Sequence, residues 1–186
     1  MWGSGALTRP DAREDAGLPA APVAAEQVGC DAGPMRTIYD AAGGHDGVRA
    51  LAAAWHARVL DDDVVGHAFS HGFAPDHTER LAAYWAEALG GPTDYSDRYG
   101  DETSVVRIHS GNGEHGEMDQ RAIDCFDQAL ADIGLTADDE VSGALHDYFA
   151  WATTTTMARY HRSADDVPAD LTIPHWSWQG LVEPGQ

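Results

Sequence analysis

Apolar residues recur at three- and four-residue intervals in four separate stretches of this chain, and nowhere do they alternate residue by residue. A chain patterned this way can bury its apolar surface only by packing helix on helix. The first stripe is Val48, Leu51, Ala52, Trp55 and Val59. The second is His77, Leu81, Trp85 and Leu89, with Tyr84 and Ala88 beside it. Met118, Ala122, Cys125, Phe126, Ala129, Leu130 and Ile133 make the third, and Val141, Leu145, Tyr148 and Ala152 the fourth. Glycine clusters at Gly43-Gly44, Gly90-Gly91-Pro92, Ser110 to Gly113 and Gly134 fall between them, where helix ends and turns need left-handed backbone.

Local signals refine the pattern. A short helical turn is expected over Thr37 to Ala42, and Asp46 suits the positive end of the first long helix. Asp61-Asp62-Asp63 should cap a short helix leading to His67, Phe69 and Phe73, and Asp76 should cap the second long one. Residues 93 to 104, with Tyr95 and Tyr99, read as a polar loop. Thr136 opens the last long helix, which is expected to run on through Thr153 to Thr156 with packing to offset the poor helix propensity of threonine.

At 186 residues the chain has room for one domain with a full core. Residues 1–34, rich in Ala, Pro, Gly and acidic side chains without periodicity, read as a disordered extension; 35–162 form the folded domain, and 163–186 a tail. Trp176 and Trp178 in that tail are expected to dock on the body, the alternative being a partner site. Thirty-one acidic side chains against eleven basic ones, a net charge of -20, argue against a nucleic-acid partner. All the basic residues are Arg, so Schiff-base chemistry and a phosphate-loop lysine are excluded. No apolar run approaches the roughly 18 residues of a membrane span. The start lacks the features of a secretory signal, so the expected compartment is the cytoplasm. Cys30 and Cys125 do not make a disulfide framework.

The chemistry rests on histidines. His109 follows Val105-Val106-Arg107-Ile108, and an imidazole can bind metal through one nitrogen while the other is fixed by a hydrogen bond. Alone, such a residue is equally a polar side chain at a helix end. His56, beside Trp55, lies at the margin of a buried helix face, where its plain reading is structural.

Taken in order, several motifs resemble one family. Ile38-Tyr39-Asp40-Ala41 precedes Gly43-Gly44. Val59 and Asp63 follow, then Gly90-Gly91-Pro92 with Tyr95-Ser96 and Gly100, then Arg107-Ile108-His109, and then Ala129-Leu130 with Gly134-Leu135. Together they resemble the truncated haemoglobins, the two-over-two helical globins, and within them the second group, over roughly Thr37 to Tyr160. The resemblance implies an all-α fold around haem b, with His109 as the proximal iron ligand and Phe69 packed on the haem at the corner before the second long helix. His77 falls on the distal position, with Leu81 one turn later; Arg80 matches a residue that pairs with a haem propionate, and Tyr95 lies near that edge. His56 stands where the family usually has tyrosine, and Ala122 where it has tryptophan. One extra residue separates Gly100 from His109. With both usual donors missing, His56 and His77 become the ligand-side candidates for any catalysis, and Ala122 should enlarge the pocket unless Trp55, Trp85 or another bulky chain fills it.

The implied function is binding, and in some members transport, of oxygen or a related diatomic ligand. Oxidoreductase chemistry such as nitric oxide dioxygenation or peroxide reduction would draw on an electron-donor reductase. Neither nucleic acid nor membrane is an expected partner. Two alternatives remain at the level of sequence. One is a non-haem metalloenzyme, using His71 with His77 or His109 with His115, near Glu114 and Glu117. The other is a helical interaction protein without catalysis.

Overall fold

The computed structural model describes residues 36–70, 72–136 and 139–183. The expected extension over residues 1–34 lies outside them, as does His71. Seven α-helices are present among the described residues: α1 (Ile38–Ala41), α2 (Gly44–Asp61), α3 (His77–Ala88), α4 (Asp94–Arg98), α5 (Glu102–Ile108), α6 (Gly116–Asp132) and α7 (Glu140–Trp151). α2 packs along α3, α6 along α7, and α2 crosses onto α6, giving two helix pairs laid one over the other. This is the two-over-two arrangement of a truncated globin. No helix among the described residues is long and apolar enough to cross a membrane.

Local chemistry sets the helix ends. Thr37 caps α1 in a reciprocal box, its hydroxyl accepting from the Asp40 N–H while the Asp40 carboxylate accepts from the Thr37 N–H. Gly43, at φ +97°, turns the chain into α2. Four residues on, Gly47 lies so close to α1 that a Cβ there would sit 1.8 Å from the Ala42 carbonyl oxygen, so the corner closes only around a hydrogen. Asp62 caps as its position suggests, accepting from the N–H groups of Val64 (2.9 Å) and Val65 (2.8 Å) at the start of a 3-10 turn over Val65–Phe69. Arg121 on α6 reaches the same carboxylate at 2.8 Å and holds it well below the usual range, to a pKa of about 2.

Three local expectations need correction. Asp76 precedes α3, but its carboxylate caps no backbone N–H, because Arg80 one turn later takes it at 3.0 Å. Residues 93 to 104 hold α4 and the first turn of α5, each started by local side chains: the Thr93 hydroxyl bonds Asp97, and Asp101 accepts from the Ser104 N–H. The threonine run lies in a π-helical turn, Ala152–Met157, with Thr154 exposed and its hydroxyl donating to the Ala150 carbonyl at 2.7 Å. Threonine competes with the helical ladder through such back-bonding, and the α-helix gives way there.

The core between the two layers is aromatic. Phe126 stacks on Phe149 with ring centroids 4.1 Å apart, and Trp85 meets both edge-on. Trp55 completes the set, edge-on to Trp85 at 5.8 Å and to Phe149 at 5.6 Å, and its indole N–H donates to the Ala122 carbonyl at 3.1 Å. Trp55 from α2 thus lies against α6 at Ala122, which is itself buried. Ala122→Trp should then overpack the core and destabilise the protein by about 1–3 kcal/mol in urea unfolding. An unchanged midpoint would mean that Trp55 leaves its place freely.

The described part of the tail lies on the body. Trp176, in a two-residue β1 (Trp176–Ser177) paired antiparallel with β2 (Gly180–Leu181), packs 5.3 Å from the Trp151 ring and 6.2 Å from Tyr148. The Trp178 indole N–H donates to the Arg36 carbonyl at 2.6 Å.

Candidate functional site

Three helices bring three imidazoles toward one another: His56 from α2, His77 from the first turn of α3, and His109 at the end of α5. The His56 and His77 rings lie 4.7 Å apart. Phe69 and Phe73 wall them in, Phe69 at 5.4 Å from His56 and 5.7 Å from His77, and Phe73 at 4.4 Å and 5.6 Å. Phe73 remains 44% exposed, an apolar face left open beside the buried His56 and the partly buried His77.

His109 is fixed by the helix that carries it. Its Nδ1 lies 2.8 Å from the Val105 carbonyl, one turn back. A carbonyl only accepts, so Nδ1 carries the proton and Nε2 keeps its lone pair, the tautomer of a metal-binding imidazole. Desolvation by the surrounding protein pushes its pKa down, although the residue as a whole is exposed. His115, the nearest competitor, spends its Nδ1 on Asp119 at 2.8 Å.

The other two imidazoles are also driven toward neutrality. Burial lowers the pKa of His56, and burial, then the proximity of His56, His109 and Arg80, lowers that of His77. At pH 7 each presents one N–H and one lone pair. His56 Nε2 and His77 Nδ1 are buried without a hydrogen-bond partner among the described residues. A buried polar nitrogen left unmatched costs about 1–3 kcal/mol, which is how a site built for a polar ligand looks before the ligand arrives. His56 Nδ1 shares a hydrogen bond with the Thr78 hydroxyl at 2.9 Å. When Thr78 donates, His56 Nε2 carries a proton and faces the site as a donor. Sequence reasoning missed Thr78 and Phe73. Thr78 follows a histidine already singled out, but its partner lies 22 positions away and only the fold reveals it.

The remaining candidates lie at the margin. Leu81 is half-buried one turn beyond His77. Arg80 is paired to Asp76 and lies over the Tyr99 ring at 5.1 Å. Tyr95 is buried, edge-on to Tyr84 at 5.2 Å and tilted against Tyr99 at 5.9 Å. Among the described residues no three His, Cys, Asp or Glu side chains gather as a metal site of their own. A concavity of about 620 Å³ beside α6 and α7 is open, and its imidazole, His146, is tied to Asp127 at 2.7 Å.

The two-layer helical sandwich, with His109 at the end of α5 and the His56–His77 pair beside Phe69 and Phe73, is the framework of a globin of the short type. The sequence pattern of the bacterial-like globin family matches residues 37–153, and the chain belongs to that family. The group 1 truncated haemoglobin GlbN of Synechocystis sp. is 32% identical over 83 residues, 44% of this chain and 67% of that protein. In fold, the chain is similar to the group II truncated haemoglobin of Bacillus anthracis, with a TM-score of 0.59 at 18% identity over 69% of this chain and 95% of that one. A thermostable haemoglobin from the actinobacterium Thermobifida fusca gives a TM-score of 0.55 at 25% identity over 65% and 96%. A group II truncated haemoglobin is thus among the solved structures of similar fold, while GlbN belongs to the first group.

Proposed function

We propose that His109, His56 and His77 line a crevice that holds haem b through His109, and that oxygen or a related diatomic ligand binds on the side of His56 and His77. The observation that carries this reading is the set of free ring nitrogens: one tautomerically fixed lone pair on His109, and two unpartnered nitrogens on His56 and His77. Haem would supply the iron at which a diatomic ligand binds. Everything else is the work of this chain.

The Val105 carbonyl orients the His109 ring and raises the basicity of its free nitrogen. Phe69 and Phe73 give the crevice an apolar wall that keeps water away from the ligand. His56, with its proton directed by Thr78, and His77 supply the donors that tyrosine and tryptophan provide elsewhere in the family. Arg80 and Tyr95 are the residues that would pair with a haem propionate. An absorption spectrum of protein produced with ample haem tests the reading directly. A stoichiometric haem spectrum that changes with oxygen or carbon monoxide is expected; colourless protein that takes up no added haem would overturn it.

Replacing His56 and His77 singly by leucine separates their roles. Losing a donor to a partly charged ligand should raise the oxygen dissociation rate roughly tenfold to a hundredfold. If neither substitution alters that rate or the ferrous spectrum, both histidines are structural.

A further inference from the structure

The helix that carries His109 is short and is gripped at both ends by the chain's own C-terminal segment. α5 has seven residues, and a helix of that length does not hold itself in water. At its first turn the buried Thr103 hydroxyl donates to the Pro168 carbonyl at 3.2 Å and accepts from the Leu171 N–H at 3.1 Å. Just past its last turn the N–H of Gly111 donates to the Tyr160 carbonyl at 3.1 Å, and that of Gly113 to the His161 carbonyl at 2.9 Å. Between these grips the 3-10 turn Ala164–Asp166 lies against α5, so close that a Cβ on Gly111 would meet the Ala164 nitrogen at 3.3 Å. Val167 and Ile173 anchor the segment, 3% and 6% exposed. All these partners lie beyond residue 153, where the family match ends.

We propose that residues 160–173 are a brace that sets the position of α5 and, through it, the orientation of the His109 imidazole, with Thr103 as its positioning residue. The coupling is direct. The His109 ring is hydrogen-bonded to a carbonyl of α5 itself, so any tilt of that helix turns the ring. Thr103 serves as donor and acceptor at once, a double role that serine keeps and valine loses. This inference rests on the assignment of His109 as the haem ligand, and its test is built to fail separately from that assignment.

Full-length wild type, Thr103→Val, Thr103→Ser and Val167→Ala are compared. In the apoprotein, amide exchange at Val105 and Val106 should quicken about tenfold in Thr103→Val, as expected for the loss of two hydrogen bonds, and return to normal in Thr103→Ser. In the haem-loaded ferrous protein, Thr103→Val should shift the iron–histidine stretching band and raise the rate of haem loss to an acceptor globin about tenfold, with serine restoring both. Val167→Ala thins the anchor while leaving the sequence of α5 intact and should move both observables in the same direction, which covers the case of a Thr103→Val protein that does not fold. Unchanged stretching band and haem loss in Thr103→Val and Val167→Ala would overturn the brace, as would failure of serine to rescue. A wild type that takes up no haem would instead overturn the His109 assignment, and apoprotein exchange alone would then decide the brace.

Discussion

His109→Ala should fold and lose its grip on haem. Removing an outer partner of a metal-binding histidine already costs about 10–100-fold in affinity, so losing the ligand itself should accelerate haem loss by at least about a hundredfold. The nearest other imidazole is His115, whose Nδ1 bonds Asp119, and the loop between the two is pinned through Gly111 and Gly113 to Tyr160 and His161, so that ring is held at its own position. His115→Ala is the control and should leave the ferrous spectrum unaltered. Far-ultraviolet circular dichroism of the His109 variant should match wild type, since the residue as a whole is exposed and its ring makes one hydrogen bond within its own helix. Unchanged haem content and spectrum after the substitution would place the proximal ligand elsewhere.

Glu102→Gln should change how stability responds to pH. Glu102 opens α5, is 2% exposed, and accepts a 2.8 Å hydrogen bond from the Tyr84 hydroxyl on α3. Its second carboxyl oxygen is buried without a partner, as is the hydroxyl of Tyr148 on α7. Burial raises the carboxyl pKa from 4.5 to about 7, outweighing the opposing effect of the Tyr84 bond. Between these values the folded protein keeps a proton that the unfolded chain has released. Stability contributed at this site is therefore full at low pH, falls as pH rises from 4.5 to about 7, and is level above. The total is on the order of 3 kcal/mol. The lowered pKa values of His56, His77 and His109 act the other way: their contribution is present above the ordinary histidine range and is lost as pH falls below it. Those histidines are common to both proteins and cancel in the difference. Urea unfolding across pH 5 to 8 should show Glu102→Gln close to wild type at pH 5 and about 3 kcal/mol more stable at pH 8. Parallel curves would mean that Glu102 does not titrate in that window.

The chain's own pattern of apolar spacing and glycine stops is enough to specify four long helices, because helix periodicity and left-handed turns are local properties. Gly43, Gly90, Gly111 and Gly134 all take positive φ where breaks were expected. The ordered motifs around His109 likewise place it at the end of a helix in a globin, since its Val105 partner is only one turn away. What the sequence could not determine is whatever depends on residues far apart in it. Trp55 meets the Ala122 carbonyl across 67 positions, a pairing that neither residue's local sequence announces. Asp76 reads as a cap, but its charge is taken by Arg80, and the polar run before α5 conceals a carboxyl that only packing against α3 and α7 buries. Thr103 looks like any surface threonine until Pro168 and Leu171, 65 and 68 positions on, close over it. Local sequence fixes where helices begin and end; which buried group meets which is decided by the competition among distant side chains for the same volume and the same hydrogen bonds, and that competition is settled only when the layers pack.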